Sequence, residues 1–227
     1  MFSARASFLG SRVTNSIKIG ATLSARGGMD LPLWYREAGK MYQLVAIAAS
    51  AGGLTALTTL LGSLPRQFPV PLAIVQHLHP NHASSLADIL SRRTQLCVKE
   101  AVAREVMRAG VAYVAPPDWH LQVGGGRCIS LTHTEPIHHS RPSADVLFAS
   151  AARVCGSRVI AVVLTGAGSD GAAGACLVKN EGGLVIAQDQ ASSAFFSMPQ
   201  ATIAAGIVDF VLPLDAIADK LIELTSR

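Results

Sequence analysis

Three residues that can do acyl chemistry together each stand just after a short apolar run that reads as a buried strand. Ser50 follows the run at Gln43–Ile47, His77 follows Pro71–Gln76, and Asp170 lies in the Gly-rich segment after Val159–Leu164. A serine hydroxyl attacks a carbonyl when an adjacent imidazole takes its proton and a carboxylate holds that imidazole in the right tautomer. The small residues Ala51, Gly52 and Gly53 after Ser50 would let a substrate approach the backbone closely. The N–H groups at the start of the following helix would then face a developing oxyanion. The same residues also have plain structural readings: Ser50 as a helix cap and His77 as a hydrogen-bonded loop histidine.

Two other chemistries are spelled in the same loops. Gly166-x-Gly168-x-x-Gly171 between a strand and a helix, with Asp189 after the next strand, has the form of a dinucleotide fingerprint with its ribose-binding acid. Against it, Asp170 would set a carboxylate beside the pyrophosphate, and the motif falls late in the chain. Tight-turn glycines and a capping acid are the structural alternative. His77, His79 and His82 suggest a chelating H-x-H pattern, but no Asp, Glu or Cys stands at a matching spacing, so no metal site is expected. His138 and His139 read as exposed loop residues. Asp118 and His120, two apart after Pro116-Pro117, would line a cleft or order a turn, with structural support the favoured role.

The elements that would position these groups alternate along the chain. Predicted strands at Gln43–Ile47, Pro71–Gln76, Val159–Leu164, Leu184–Ala187 and Val208–Leu212 are separated by helix-length segments near Leu54–Ser63, Ser84–Arg93, Ala144–Cys155, up to Asn180, and Leu214–Thr225. Residues 97–145 are less regular. Short runs at Gly110–Val114, His120–Val123 and Cys128–Thr132, with Gly124, Gly125 and Gly126 as a turn, suggest a local antiparallel hairpin excursion. Half of the 227 residues are hydrophobic and only 5% are aromatic, so Ala, Val, Leu and Ile dominate, as in close-packed helices on a parallel sheet. The expected fold is α/β: a doubly wound, mostly parallel sheet with helices on both faces. In such sheets the loops at the carboxyl ends of the strands gather at one edge, which brings Ser50, His77 and Asp170 together.

The net charge of +4 resides in residues 1–40, which hold six of the 19 Lys/Arg and two of the 15 Asp/Glu. The remaining thirteen bases and thirteen acids leave residues 41–227 neutral, so there is no general basic surface for nucleic acid. Residues 1–40 are expected to be a basic extension, disordered or an artefact of start-site choice, and residues 41–227 the catalytic domain. No apolar run approaches the roughly 18 to 20 residues of a membrane span, so no membrane insertion is expected. Cys97, Cys128, Cys155 and Cys176 form no C-x-x-C pair.

Over nearly all of residues 42–224 the sequence resembles CheB-type protein-glutamate methylesterases. The blocks that carry the resemblance are VAIAASAGGLTAL, IVQHLHPNHASSLADIL, YVAPPDWHL, SRPSADVLFASAA, VVLTGAGSDGAAG and AQDQASSAFFSMPQATIAAG. It implies that Ser50 is the nucleophile, His77 the general base and acid, and Asp170 the carboxylate orienting His77, with no metal or organic cofactor. The implied substrates are γ-methyl esters of glutamate on methyl-accepting chemotaxis receptors, with glutamine deamidation by the same acyl chemistry, in the cytoplasm of a bacterium. Two loops depart from the family pattern. Ala51 stands where Thr is usual and Ala167 where Met is usual, changes that backbone oxyanion donors at Ala51 and Ala167 tolerate. Gly52, Gly53, Met198 and Pro199 are expected to shape a shallow cleft. The usual phosphoacceptor receiver domain, roughly 120 residues, does not fit into residues 1–40, so either no phosphorylation is needed or a separate regulatory chain takes that part. The competing functions are a non-catalytic receptor-binding scaffold and an esterase for another substrate.

Overall fold

Four runs of five or six residues are buried at every position: Leu44–Ala49, Leu72–Gln76, Val159–Val163 and Leu184–Gln188. Strands buried on both faces need apolar side chains in both directions, and Val, Ile, Leu and Ala supply them. In the computed structural model, which describes residues 41–77 and 84–226 and a short strand pair before them, these runs form the centre of a seven-stranded sheet. The chain divides into two units, Met1–Ala38 and Gly39–Arg227. Of the first, only the antiparallel pair Thr22–Leu23 and Met29–Asp30 is described. The expected extension over residues 1–40 otherwise lies outside the described residues, as do His79 and His82 in the segment 78–83.

In chain order the second unit consists of β1 (Leu44–Ala49), α1 (Gly53–Gly62), β2 (Leu72–Gln76), α2 (Leu86–Ser91), β3 (Cys97–Glu100), β4 (Val111–Val114), β5 (His120–Gly124) and β6 (Cys128–Thr132). It continues with α3 (Ala144–Cys155), β7 (Val159–Val163), α4 (Ala172–Asn180), β8 (Leu184–Gln188), α5 (Ser197–Ala204), β9 (Phe210–Leu212) and α6 (Leu214–Thr225). The sheet order is β9-β8-β7-β1-β2-β4-β3, and every adjacent pair is parallel. Leu44, Ala46 and Ala48 of β1 join Val159, Ala161 and Val163 of β7 in a core with Leu147, Phe148 and Ala151 of α3 and Ala175 and Val178 of α4. The intervening residues Val45 and Ile47 point the other way, where α1 packs against α2 and α6.

The antiparallel excursion pairs β5 with β6 from His120↔Thr132 to Gly124↔Cys128 around the predicted glycine turn, and a bridge from Val106 to Cys128 adds to its other side. Val111–Val114, which by sequence fell in the irregular stretch, instead joins the main sheet beside β2. Leu72↔Ala112 pairing lets its apolar residues bury against the central strands. Among the described residues no helix is long and apolar enough to cross a membrane.

Candidate active site

The first group is delivered by the turn from β1 to α1. Ser50 comes one residue after the last strand position, its N–H donating to Thr165 O at 3.0 Å, and its own carbonyl accepts the N–H of Gly53 at 2.8 Å. Gly52 closes this turn at φ +77°, and a β-carbon there would lie 2.9 Å from Ala194 Cβ, so only glycine meets both demands. At Gly53 the obstacle is a side chain: a β-carbon would lie 1.9 Å from Gln76 Oε1. Gln76, the last residue of β2 and 6% exposed, donates through Nε2 to Ser50 O at 2.8 Å and to His77 O at 3.0 Å. One amide thus ties the two turns together.

His77 leaves β2 with its N–H on Ala49 O of the neighbouring strand at 3.1 Å. Its Nδ1 lies 3.1 Å from Ser50 Oγ and its Nε2 lies 2.7 Å from Asp170 Oδ2. A carboxylate is an acceptor only, so Nε2 carries the proton toward Asp170, leaving the Nδ1 lone pair to accept from the serine hydroxyl. The ring is reversed relative to the serine-protease template, in which Nε2 faces the nucleophile.

Asp170 is 3% exposed and saturated with donors. Oδ1 accepts Ser143 Oγ–H at 2.8 Å and Asp145 N–H at 3.1 Å; Oδ2 accepts Ala144 N–H at 2.7 Å besides His77. Ser143 is the N-cap of α3 and Ala144 and Asp145 open its first turn, where the helix dipole also favours negative charge. Burial pushes the carboxyl toward its neutral form. The hydrogen bonds from His77, Ala144, Asp145 and Ser143 outweigh that and hold its pKa below the usual value.

The return contact comes from Asp145 in that same turn of α3. Its Oδ1 accepts the N–H groups of Gly171 at 3.0 Å and Gly174 at 2.7 Å, capping α4. The N-terminus of α3 is therefore capped by Asp170 from the loop leading into α4, and that of α4 by Asp145 from the first turn of α3. The two helices can exchange caps because they touch: a β-carbon at Gly174 would lie 2.8 Å from Phe148 Cβ and 2.9 Å from the Asp145 backbone. Burial, with the nearby Asp170 charge adding to it, raises the Asp145 carboxyl above its ordinary value despite its two backbone donors.

Behind the loop, Thr165 and Gln188 act as fasteners. Thr165 Oγ1 accepts Phe195 N–H at 2.9 Å and lies 3.0 Å from Ala51 O and 3.2 Å from Phe195 O, either of which can take its single proton. Gln188, fully buried, accepts Thr165 N–H at 2.8 Å and donates to Ser192 O. Met198 is fully buried and Pro199 is also buried. The Met198 sulfur would lie 2.2 Å from a β-carbon at Gly166, and Ser50 Cβ 2.9 Å from it, so Met198 packs against Gly166 beside Ser50. Among the described residues the N–H groups of Ala51 and Ala167 make no hydrogen bond.

The dinucleotide reading meets a physical obstacle. The N–H groups of Gly171 and Gly174, which a pyrophosphate would need, are taken by Asp145. Asp189 accepts Ser192 N–H and Oγ–H in its own turn. His120 is fully buried, its Nδ1 accepting Ser143 N–H at 3.1 Å and its Nε2 donating to Glu135 O at 3.1 Å. It braces the turn that presents Ser143 to Asp170. Asp118 faces Arg141 and His133 instead. Of the histidines in the chelating pattern, only His77 is among the described residues, and it is engaged with Ser50 and Asp170. Sequence reasoning missed Gln76, Gln188, Ser143, Asp145 and Thr165. The available signals were a lone Gln ending each of two otherwise apolar strands and Ser-x-Asp at the start of a helix.

The family model for CheB methylesterase matches residues 45–221. A Leptospira interrogans protein, provisionally named a protein-glutamate methylesterase/protein-glutamine glutaminase, is 40% identical over 183 residues, covering 81% of this chain and 95% of the relative. A protein-glutamate methylesterase/protein-glutamine glutaminase of Anaeromyxobacter dehalogenans is 44% identical over 183 residues. One of Methanosarcina mazei is 40% identical over 196 residues. The chain spans about half the length of these two, 53% in each case. The crystal structure of the Thermotoga maritima CheB methylesterase catalytic domain superposes with a TM-score of 0.78 at 40% identity, covering 81% of this chain and 98% of that one. The chain belongs to the CheB methylesterase family of enzymes.

Proposed function

We propose that this protein hydrolyses γ-methyl esters of glutamate side chains on methyl-accepting chemotaxis receptors, using Ser50, His77 and Asp170. The observation that carries the reading is the unbroken line of hydrogen bonds from Ser50 Oγ through both nitrogens of His77 to Asp170. In the first half-reaction His77 Nδ1 takes the Ser50 proton as Oγ attacks the ester carbon. The oxyanion is met by the N–H groups of Ala51 and Ala167. Nδ1 then returns the proton to the departing methoxide, releasing methanol and leaving an acyl-serine. Water, deprotonated at Nδ1, hydrolyses that ester to free glutamate and regenerates Ser50. A glutamine side chain enters the same cycle with ammonia as the leaving group.

The test is methanol release from a methylated chemoreceptor by wild type and Ser50→Ala, with circular dichroism on both. Wild type releases methanol and the folded variant is slower by at least about a thousandfold, as for nucleophile removal in other serine hydrolases. Equal rates in the two proteins, or no release by wild type, would reject the proposal.

A further inference from the structure

Two aromatic side chains stand exposed on the edge of the sheet that carries Ser50. Phe195 is 51% exposed and Trp119 42% exposed. Phe195 lies in the loop that leaves the carboxyl end of β8, and Trp119 in the loop that leaves the carboxyl end of β4. In the sheet order β8-β7-β1-β2-β4, the β1 end that bears Ser50 is midway between them. At roughly 4.8 Å per strand, each loop is rooted about 10 Å to one side of the nucleophile.

Neither side chain sits on slack backbone. Phe195 donates its N–H to Thr165 Oγ1 at 2.9 Å, and its carbonyl accepts Gly166 N–H at 2.9 Å. Its neighbour Ala194 packs against Gly52 in the nucleophile turn. Trp119 meets the His133 ring edge-on at 5.2 Å. His133 is in turn bonded to Asp118, which Arg141 also holds. An exposed aromatic on a fixed support contributes nothing to the core, yet it gives large contact area to a partner with little ordering cost.

We propose that Phe195 and Trp119 are specificity-determining residues that dock the polypeptide on either side of the esterified glutamate. The site then prefers a protein substrate to a free methyl ester. This rests on the protein-ester reading above and adds to it where the recognition energy arises. The two side chains touch substrate only outside the reacting group, so they act on capture and leave the chemical step at Ser50 alone.

Phe195→Ala, Trp119→Ala and the double variant are assayed on two substrates, a methylated chemoreceptor fragment and N-acetyl-glutamate γ-methyl ester amide, with thermal melts to confirm folding. Each single variant should raise KM for the receptor about tenfold, the size expected for truncating an aromatic anchor, while kcat/KM on the small ester stays within about twofold. A parallel loss on both substrates would make these residues supports of the catalytic loop, and an unchanged receptor KM would remove them from the interface; either result overturns the proposal. If wild type cleaves the small ester but not the receptor, the protein-ester reading itself fails and this inference falls with it.

Discussion

Replacing Gly53 by alanine sets two effects of known size against each other. Alanine is favoured over glycine in a helix by up to about 1 kcal/mol, and Gly53 opens α1, so propensity alone predicts a gain. The new β-carbon, however, would lie 1.9 Å from Gln76 Oε1 and 2.9 Å from Gln76 Cδ. The amide must leave, and its donations to Ser50 O and His77 O go with it. Each buried hydrogen bond contributes about 1 kcal/mol net, and an orphaned buried carbonyl costs about 1–3 kcal/mol. The expected balance is a loss of about 2 kcal/mol, or a fall in Tm of roughly 4–8 °C for a domain of this size. Activity should fall further than stability, because the lost amide is what holds the two turns in register, and a displacement of about 1 Å can cost a hundredfold in rate.

The assay is a double-mutant cycle of Gly53→Ala and Gln76→Ala, followed by urea denaturation and by ester hydrolysis. With Gln76 truncated, only the 2.9 Å approach of the new β-carbon to Ala49 Cβ is left to set against the helix-propensity gain, and Gly53→Ala should become nearly neutral. The coupling between the two sites is then about 2 kcal/mol. Gly53→Ala costing as much in the Gln76→Ala background as in wild type would refute the clash with Gln76. A rise in Tm for the single variant would show that helix propensity wins and that the amide yields without loss.

Two further substitutions probe the exchanged caps. Gly174→Ala drives a β-carbon against Phe148 and the Asp145 backbone at the α3–α4 crossing. Overpacking of about 1–3 kcal/mol should exceed the helix-propensity gain and lower Tm; an unchanged or higher Tm would show that the helices part freely. Asp170→Asn tests the proton linkage. The folded-state pKa of Asp170 is lowered, so its stabilisation is full above the ordinary carboxylate value of 3.8 and is lost as pH falls through the lower folded value. The wild-type advantage in urea melts should therefore be constant from pH 7 to about pH 4 and narrow only below that. An advantage that disappears between pH 7 and pH 5 would contradict the assignment.

The strands that carry Ser50, His77 and Asp170 were readable because each is a run of Val, Ile, Leu and Ala bounded by turn residues, a pattern that survives without tertiary information. The glycine triplet 124–126 marked its hairpin for the same reason. The edge strand β3 gave no such signal: Cys97 and Glu100 are exposed and Val98 and Lys99 half-buried, so Cys-Val-Lys-Glu reads as coil. Helix α5 carries Pro199 in its first turn, which a helix tolerates there but which disguises it. The caps were invisible for a different reason. Asp170 and Asp145 are 25 residues apart and each bonds to backbone on the other's helix, an arrangement created only when α3 and α4 cross. Gln76 looked like polarity ending a strand. Its partners, the carbonyls of Ser50 and His77, converge only once β1 and β2 pair.

The reversed imidazole follows from the strand order. His77 stands at the end of β2, Ser50 at the end of the adjacent β1, and Asp170 in the loop after β7, one strand further on. The histidine backbone is already bonded to β1 through Ala49 O, so Ser50 is close to the root of its side chain. Nδ1, the ring nitrogen nearer the backbone, meets the near group, and Nε2 at the far end of the ring spans to the far one. Turning the ring over would aim the longer arm past Ser50 and leave the buried Asp170 carboxylate facing a nitrogen too short to reach it. The neutral resting enzyme should therefore hold its His77 proton on Nε2. Long-range nitrogen–proton correlations on histidine-labelled protein would report this tautomer directly, and Asp170→Asn should weaken the preference. A resting Nδ1–H form would leave the Ser50 hydroxyl without an acceptor on the imidazole and would undo the proton path from Ser50 to His77.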